Sequence, residues 1–170
     1  MKVPPLFLCF LTLMVGVTGY GVSYRLNAQE KEITGMPQKL PVEAMLLVGG
    51  KQIELEVAKT PQQQQLGLMF RPFLPPNRGM LFPFQPASLV TFWMKNVLIP
   101  LDMIFVADGT VVQIYHSLPP CYREPCPLYH SDTPVDYVIE LAGGRAQQLN
   151  IRRGDKLTIK MLSSPAQSEN

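Results

Sequence analysis

Alternating apolar and polar residues mark the first regular element of the chain. Within 51–57, positions 53, 55 and 57 are aliphatic, whereas positions 52, 54 and 56 are glutamine or glutamate. A period of two is typical of a strand with one buried face. A second apolar run at 42–48 precedes it, and Gly49-Gly50 separates the two. Since two glycines suit a tight hairpin turn, we predict a β-hairpin over 42–57.

One short helix is predicted after this hairpin. Thr60 can accept a hydrogen bond as the N-cap, and Pro61 suits the first helical position. Four glutamines follow as good helix formers, and Gly67 can end the helix. We therefore expect about two helical turns between 60 and 67.

Short apolar runs separated by turn residues make up the rest of the domain. The expected strands are 79–84, 91–94, 102–106, 110–115, 137–141 and 156–162. Asp108-Gly109 predicts a second hairpin, 116–134 a long proline-rich loop, and 145–150 one helical turn. No helix-length crossover separates the strands, which argues against a parallel sheet. The predicted fold is all-β and mainly antiparallel, a small barrel or sandwich with one short helix.

The N-terminal residues resemble a targeting segment. Lys2 precedes a nearly continuous apolar run at 6–17, and small residues follow at 17–19. This order is typical of a secretory signal peptide, and the run is shorter than the ~20 residues of a membrane span. An uncleaved membrane anchor is the alternative. The predicted organisation is a signal or anchor at 1–19, a flexible tether at 20–41, a single β-rich domain at 42–162 and a disordered tail at 163–170.

Charge and cysteine usage narrow the functional classes. The net charge is +2 with 16% charged residues, and Arg152-Arg153 is an isolated basic pair. Without a basic stripe the sequence argues against a nucleic-acid-binding protein. We expect an exported protein, periplasmic or extracellular, that contacts a membrane only through an uncleaved N-terminal segment.

Two cysteines remain once the leader, which contains Cys9, is set aside. An even number in an exported chain favours a disulfide between Cys121 and Cys126. Together with His116 and His130 they could instead form a zinc site. The spacing H-x4-C-x4-C-x3-H does not fit a known zinc finger, so the disulfide is the preferred interpretation. We predict no metal and no cofactor.

Several short segments occur in an order that resembles the uncharacterised domain of unknown function 192 family. They are 67–71 (Gly-Leu-Met-Phe-Arg), 79–82 (Gly-Met-Leu-Phe), 92–96 (Phe-Trp-Met-Lys-Asn) and 99–103 (Ile-Pro-Leu-Asp-Met), followed by 108–109, 138–143 and 154–155. Val97 departs from the threonine common after the Lys-Asn pair. The resemblance implies a small β-rich, barrel-like domain that is often exported, and it implies no particular activity.

The segment 92–103 combines charge with strong apolar character. It contains Lys95, Asp102 and the single tryptophan, Trp93. A buried charge is costly unless it is paired or faces a cleft. If the chain turns back at Pro100, the amine and the carboxylate can meet. They would then form either a structural ion pair or part of a ligand site.

The first functional hypothesis is a non-enzymatic binding module for a small polar ligand or a component of the cell envelope. The proposed ligand-binding residues are Arg71, Trp93, Lys95, Asn96 and Asp102. The second hypothesis is a hydrolase of envelope or sugar-type material. It would use Asp102 and Glu140 as acid and base, which requires the carboxyls to face each other at ~5–10 Å. A metal-binding protein is the third.

Overall fold

The computed structural model describes residues 35–162. The predicted signal or anchor segment at 1–19 and the predicted tail at 163–170 lie outside the described residues. No helix within 35–162 has the length and apolar character needed to cross a membrane.

Nine strands and two short helices are formed within 35–162. The strands are β1 (Val42–Val48), β2 (Lys51–Val57), β3 (Arg78–Ser88), β4 (Thr91–Trp93), β5 (Leu101–Ala107), β6 (Thr110–Leu118), β7 (Leu128–His130), β8 (Val135–Ala142) and β9 (Thr158–Met161), and the helices are α1 (Pro61–Leu66) and α2 (Arg145–Gln148). All the predicted strands are confirmed; 42–48 and 51–57 have the predicted ends, and the ends of the others are shifted. The short β7 lies inside the segment that was predicted to be a loop.

Seven strands form one mixed sheet in the order β6-β5-β8-β3-β2-β1-β9, and β4 pairs with β7 in a separate two-stranded ribbon. Every pairing between two of these nine strands is antiparallel except that of β2 with β3. The prediction of a β-rich, mainly antiparallel fold is confirmed, but the main sheet is mixed and does not close, so the barrel alternative of the predicted barrel or sandwich is wrong. The chain just before β9 reaches β6 through a single bridge between Lys156 and Thr110.

The turns and the first helix form for the predicted reasons. Gly49 and Gly50 have φ values of 55° and 69°, and Asp108 and Gly109 have 46° and 67°. Positive φ at both central residues matches the right-handed twist of a hairpin. In α1, the Thr60 hydroxyl accepts a hydrogen bond from the Gln63 backbone N–H, and the Gln63 side chain accepts one from the Thr60 N–H.

Both faces of the sheet are covered, which gives two apolar cores. One core lies against α2 and the segment after it, and it includes Leu46, Leu55, Ile104, Ile139 and Leu141. The other lies beneath the 67–77 loop and β4, and it includes Leu68, Met80, Phe82, Met94 and Met103. Strands buried on both faces read as continuous apolar runs, as 103–106 does.

Candidate functional site

Asp102 is a structural carboxylate. Its side chain is fully buried and accepts hydrogen bonds from the backbone N–H groups of Ser117 (2.7 Å), Gly144 (2.9 Å) and Ala146 (2.7 Å). These donors belong to the end of β6 and the start of α2, so Asp102 ties both to the sheet. A carboxylate with three backbone donors is stable without a cation. The predicted meeting of Asp102 with Lys95 is therefore wrong.

Lys95 instead lies at the surface beside the disulfide loop. Its ammonium group pairs with Glu124 and lies 5.3 Å from the centroid of the Trp93 ring. Cys121 and Cys126 are bonded to each other, as predicted. The disulfide leaves no thiolate for the proposed zinc site, and the described residues include no cluster of three potential metal ligands.

Arg71 forms a nearly buried ion pair with Glu56. Two guanidinium nitrogens donate to the two carboxylate oxygens at 2.7 and 2.6 Å, and one also donates to the Gln38 carbonyl at 2.6 Å. Burial raises the pKa of Glu56, but the hydrogen bonds from Arg71 and Leu40 and the nearby arginine charges outweigh it, so the pKa lies below its ordinary value. The Arg71 Nε is buried and has no hydrogen-bond partner within 35–162.

The strand register places Glu140 on the same face as this ion pair. Glu56, Met80, Glu140 and Met103 occupy neighbouring positions on four adjacent strands. Asp102 pairs one position further along, with Leu141. Because successive side chains point to opposite faces, Asp102 and Glu140 lie on opposite sides of the sheet. They cannot act together as the acid and base of the hydrolase hypothesis.

A pocket of about 380 Å³ opens above Glu140. Its walls are the 64–69 segment of α1 and the following turn, the β3 residues Phe82 and Phe84, the 90–93 segment that includes β4, and Val97. The volume is within the range of ligand sites in proteins. Glu140 is the only ionisable side chain among the described residues that line it.

The Glu140 carboxyl is almost enclosed, with 5% of the residue exposed. No group within 35–162 makes a side-chain hydrogen bond with it. Burial raises the pKa of Glu140 to about 8, and the charge of Arg71 opposes part of that rise. At neutral pH the group is therefore mostly a neutral acid, which can both donate and accept a hydrogen bond.

Aromatic rings form much of the wall above this carboxyl. Phe92 meets Phe82, Phe84 and Phe105 edge to face, with ring centroids 5.1, 6.3 and 6.0 Å apart. Such geometry is favourable for aromatic pairs and fixes the rings in place. Trp93 follows Phe92 in the pocket wall and is 39% exposed.

The 67–71 and 92–96 motifs contact each other beside the pocket. The Phe70 N–H donates to the Asn96 carbonyl at 2.8 Å, and the Asn96 amide lies 3.8 Å from the Met69 sulfur. Phe70 and Asn96 both have positive φ, at 62° and 58°. A second cavity of about 290 Å³ lies here, lined by Met69, Trp93, Lys95 and Asn96 among others. Trp93 is shared between the two cavities.

Residues 44–159 match the domain of unknown function 192 family (DUF192), whose description is "Uncharacterized ACR". The chain belongs to this family. The resemblance of its motifs to DUF192 is thus confirmed, and no curated protein matches the chain.

Two solved structures similar to this DUF192 chain are bacterial. A protein from Sinorhizobium meliloti 1021, described as a "putative transcription regulator", is 37% identical with a TM-score of 0.61; the match covers 68% of this chain and 91% of that one. A protein of unknown function from Novosphingobium aromaticivorans DSM 12444 is 34% identical with a TM-score of 0.63, covering 73% of this chain and 93% of that one.

The predicted site residues of this DUF192 protein are divided between different places. Trp93 and Glu140 line the main pocket, and Lys95 and Asn96 join Trp93 at the second cavity. Arg71 and Asp102 line neither. Phe84 and Phe92 were not predicted to line a pocket. Phe82 and Phe84 are two positions apart on one strand, which places both side chains on the same face and could have indicated this wall.

Proposed function

We propose that this domain is a binding module for a small amphipathic molecule, which occupies the pocket above Glu140. The observation that supports this is a nearly enclosed carboxyl that faces an aromatic cavity without a hydrogen-bond partner in the described protein. Holding an acid where it is nearly excluded from solvent reduces stability, and an apolar residue would avoid that loss. A ligand that bonds to Glu140 would supply the missing partner.

The lining favours binding over hydrolysis. Acid–base catalysis by carboxyls needs two groups at one cleft, whereas Glu140 is the sole ionisable group among the described lining residues. The aromatic wall also changes the expected ligand from a purely polar molecule to one with an apolar body. Such a body would pack against Phe84 and Phe92.

An exported location is part of the same proposal. The signal-like pattern at 1–19 and the disulfide between Cys121 and Cys126 support it. The ligand would then be a component of the cell envelope or its surroundings. Cell fractionation followed by mass measurement of the purified chain tests this, since export with cleavage would remove about 19 residues. A full-length chain in the cytoplasm would contradict it.

The single tryptophan of the chain reports directly on the pocket. Native mass spectrometry of the purified full chain should reveal a bound small molecule, and titration with phenyl and alkyl compounds should change Trp93 emission saturably. Phe84→Ala should weaken binding about tenfold, because it removes an aromatic wall residue. Phe73→Ala is the matched control, since Phe73 is 68% exposed and outside this pocket. Equal effects of the two substitutions, or no response to any compound, would refute the proposal.

A further inference from the structure

We infer that the ligand carries a positive charge, an ammonium group on an apolar body, and that this group pairs with Glu140. The inference rests on the proposed binding function and specifies its chemical class. Its basis is the distribution of charge around the pocket, together with the aromatic rings in the wall.

The charges near Glu140 leave it as an acid without a basic partner of its own. Arg71 is the nearby cation, but its guanidinium already binds both oxygens of Glu56. On the adjacent strands, Met80 and Met103 flank Glu140 and carry no charge. Helix α1, on the opposite wall of the pocket, contributes only two polar side chains to the lining, the uncharged amides of Gln64 and Gln65. An ionised Glu140 would therefore add an unbalanced negative charge, which a cationic ligand would neutralise.

An anionic ligand does not fit this environment. No lysine, arginine or histidine is among the described residues that line the pocket, so a carboxylate or phosphate would find only uncharged side chains and Glu140 there. Lys95 is held outside, over the Trp93 ring and paired with Glu124. The ionised carboxyl would repel an anion, and the neutral acid would offer it one hydrogen bond but no compensating positive charge.

The aromatic wall gives a cation a second source of attraction. Phe84, Phe92 and Trp93 line the pocket together. The faces of such rings carry partial negative charge and attract ammonium groups. A neutral alcohol or carbonyl could bond to Glu140, but it would gain nothing comparable from the rings.

Binding of an ammonium group would transfer one proton to solvent. The empty pocket holds the neutral acid, whereas the occupied pocket holds carboxylate and ammonium. The Glu140 O–H bond breaks, its proton goes to water, and its electron pair remains on the carboxylate. Proton release therefore distinguishes a cation from a neutral ligand.

Three probes of similar shape test the inference on the full chain: phenethylamine, 2-phenylethanol and 3-phenylpropionate. We expect phenethylamine to bind at least about tenfold more tightly than the alcohol, with the acid weakest. Because the pKa of Glu140 is about 8, calorimetry in two buffers near pH 7 should show about 0.9 proton released per amine bound. Amine affinity should rise about tenfold per pH unit and level off above pH 8.

Glu140→Gln should abolish both the amine preference and the proton release while the alcohol still binds. Glu54→Gln, at a half-exposed ion pair with Arg78 outside the pocket, is the control for general surface charge and should preserve both. Equal binding of amine and alcohol, with no proton released, would overturn the inference and leave the proposed function standing. Failure of all three probes to change Trp93 emission at millimolar concentration would overturn both.

Discussion

Replacing Glu140 by glutamine should make the protein more stable, by an amount that grows with pH. The carboxyl has an ordinary pKa of 4.5, which the unfolded chain retains, and a pKa of about 8 when folded. Between these values the folded state holds one proton more than the unfolded state. The free energy of unfolding therefore falls as pH rises through this window, while full stability is present only below pH 4.5.

The size of the effect follows from the same two pKa values. Each pH unit in the window should lower the stability of the wild type by about 1.4 kcal/mol relative to the glutamine variant. The whole window corresponds to roughly 5 kcal/mol, which is a large part of the stability of a small domain. Glutamine has nearly the same shape as glutamate and never ionises. The substitution should therefore remove the pH-dependent loss of stability without opening a cavity.

Urea denaturation of both proteins at about pH 5.5, 6.5 and 7.5 measures the difference. Subtracting the two stability curves cancels every contribution that the two proteins share. Glu54→Gln serves as the control, because Glu54 forms a half-exposed ion pair with Arg78 at 2.9 Å. Loss of one such surface pair should change stability by only about 1 kcal/mol at most.

A difference that stays constant over this range would refute the reasoning. It would mean that the Glu140 carboxyl ionises near its ordinary pKa, as it would if water hydrated it in the pocket. The cavity would then be a wet cleft, and the basis for proton release on amine binding would disappear.

Three further substitutions test the surrounding framework. Asp102→Asn turns an N–H group toward one of three backbone donors and should cost roughly 2–4 kcal/mol in urea titrations; a loss below about 0.5 kcal/mol would show that the donors find other partners. Arg71→Met leaves Glu56 buried without its cation and should cost about 3–5 kcal/mol near pH 7. That loss should shrink as acid protonates Glu56, and a loss that grows in acid would contradict it. Gly79→Ala places a methyl group 2.7 Å from the Glu140 carbonyl oxygen and should destabilise by about 1–3 kcal/mol in thermal melts; an unchanged melting temperature would show that the strands can separate.

Local sequence patterns predicted most strands because alternation and turn residues act over a few positions. Both hairpins and the capping box of α1 are of this kind. The parallel pairing of β2 with β3 was missed because we expected a helix-length crossover. The 58–77 segment makes the crossing with only a six-residue helix and a loop. Local patterns also could not show whether the sheet closes into a barrel, since closure depends on whether its two edge strands, β6 and β9, pair with each other.

The candidate site was predicted only in part, because its residues are brought together by pairing between strands that are distant in sequence. Trp93 and Glu140 were both selected, but from unrelated arguments, and their convergence depends on strand register. Asp102 was wrongly joined to Lys95 because the two are close in sequence. The face on which Asp102 lies follows from its pairing with Leu141, 39 positions away, which no local pattern reveals.

The order of strands has a consequence for how the protein is made. β8 lies between β3 and β5, and β9 pairs with β1. A nascent chain that has not yet emerged from the ribosome beyond residue 135 therefore lacks the strand that joins the two halves of the sheet. Assembly by such distant pairings is slow. The seven-stranded sheet can therefore be completed only after nearly the whole domain has been synthesised.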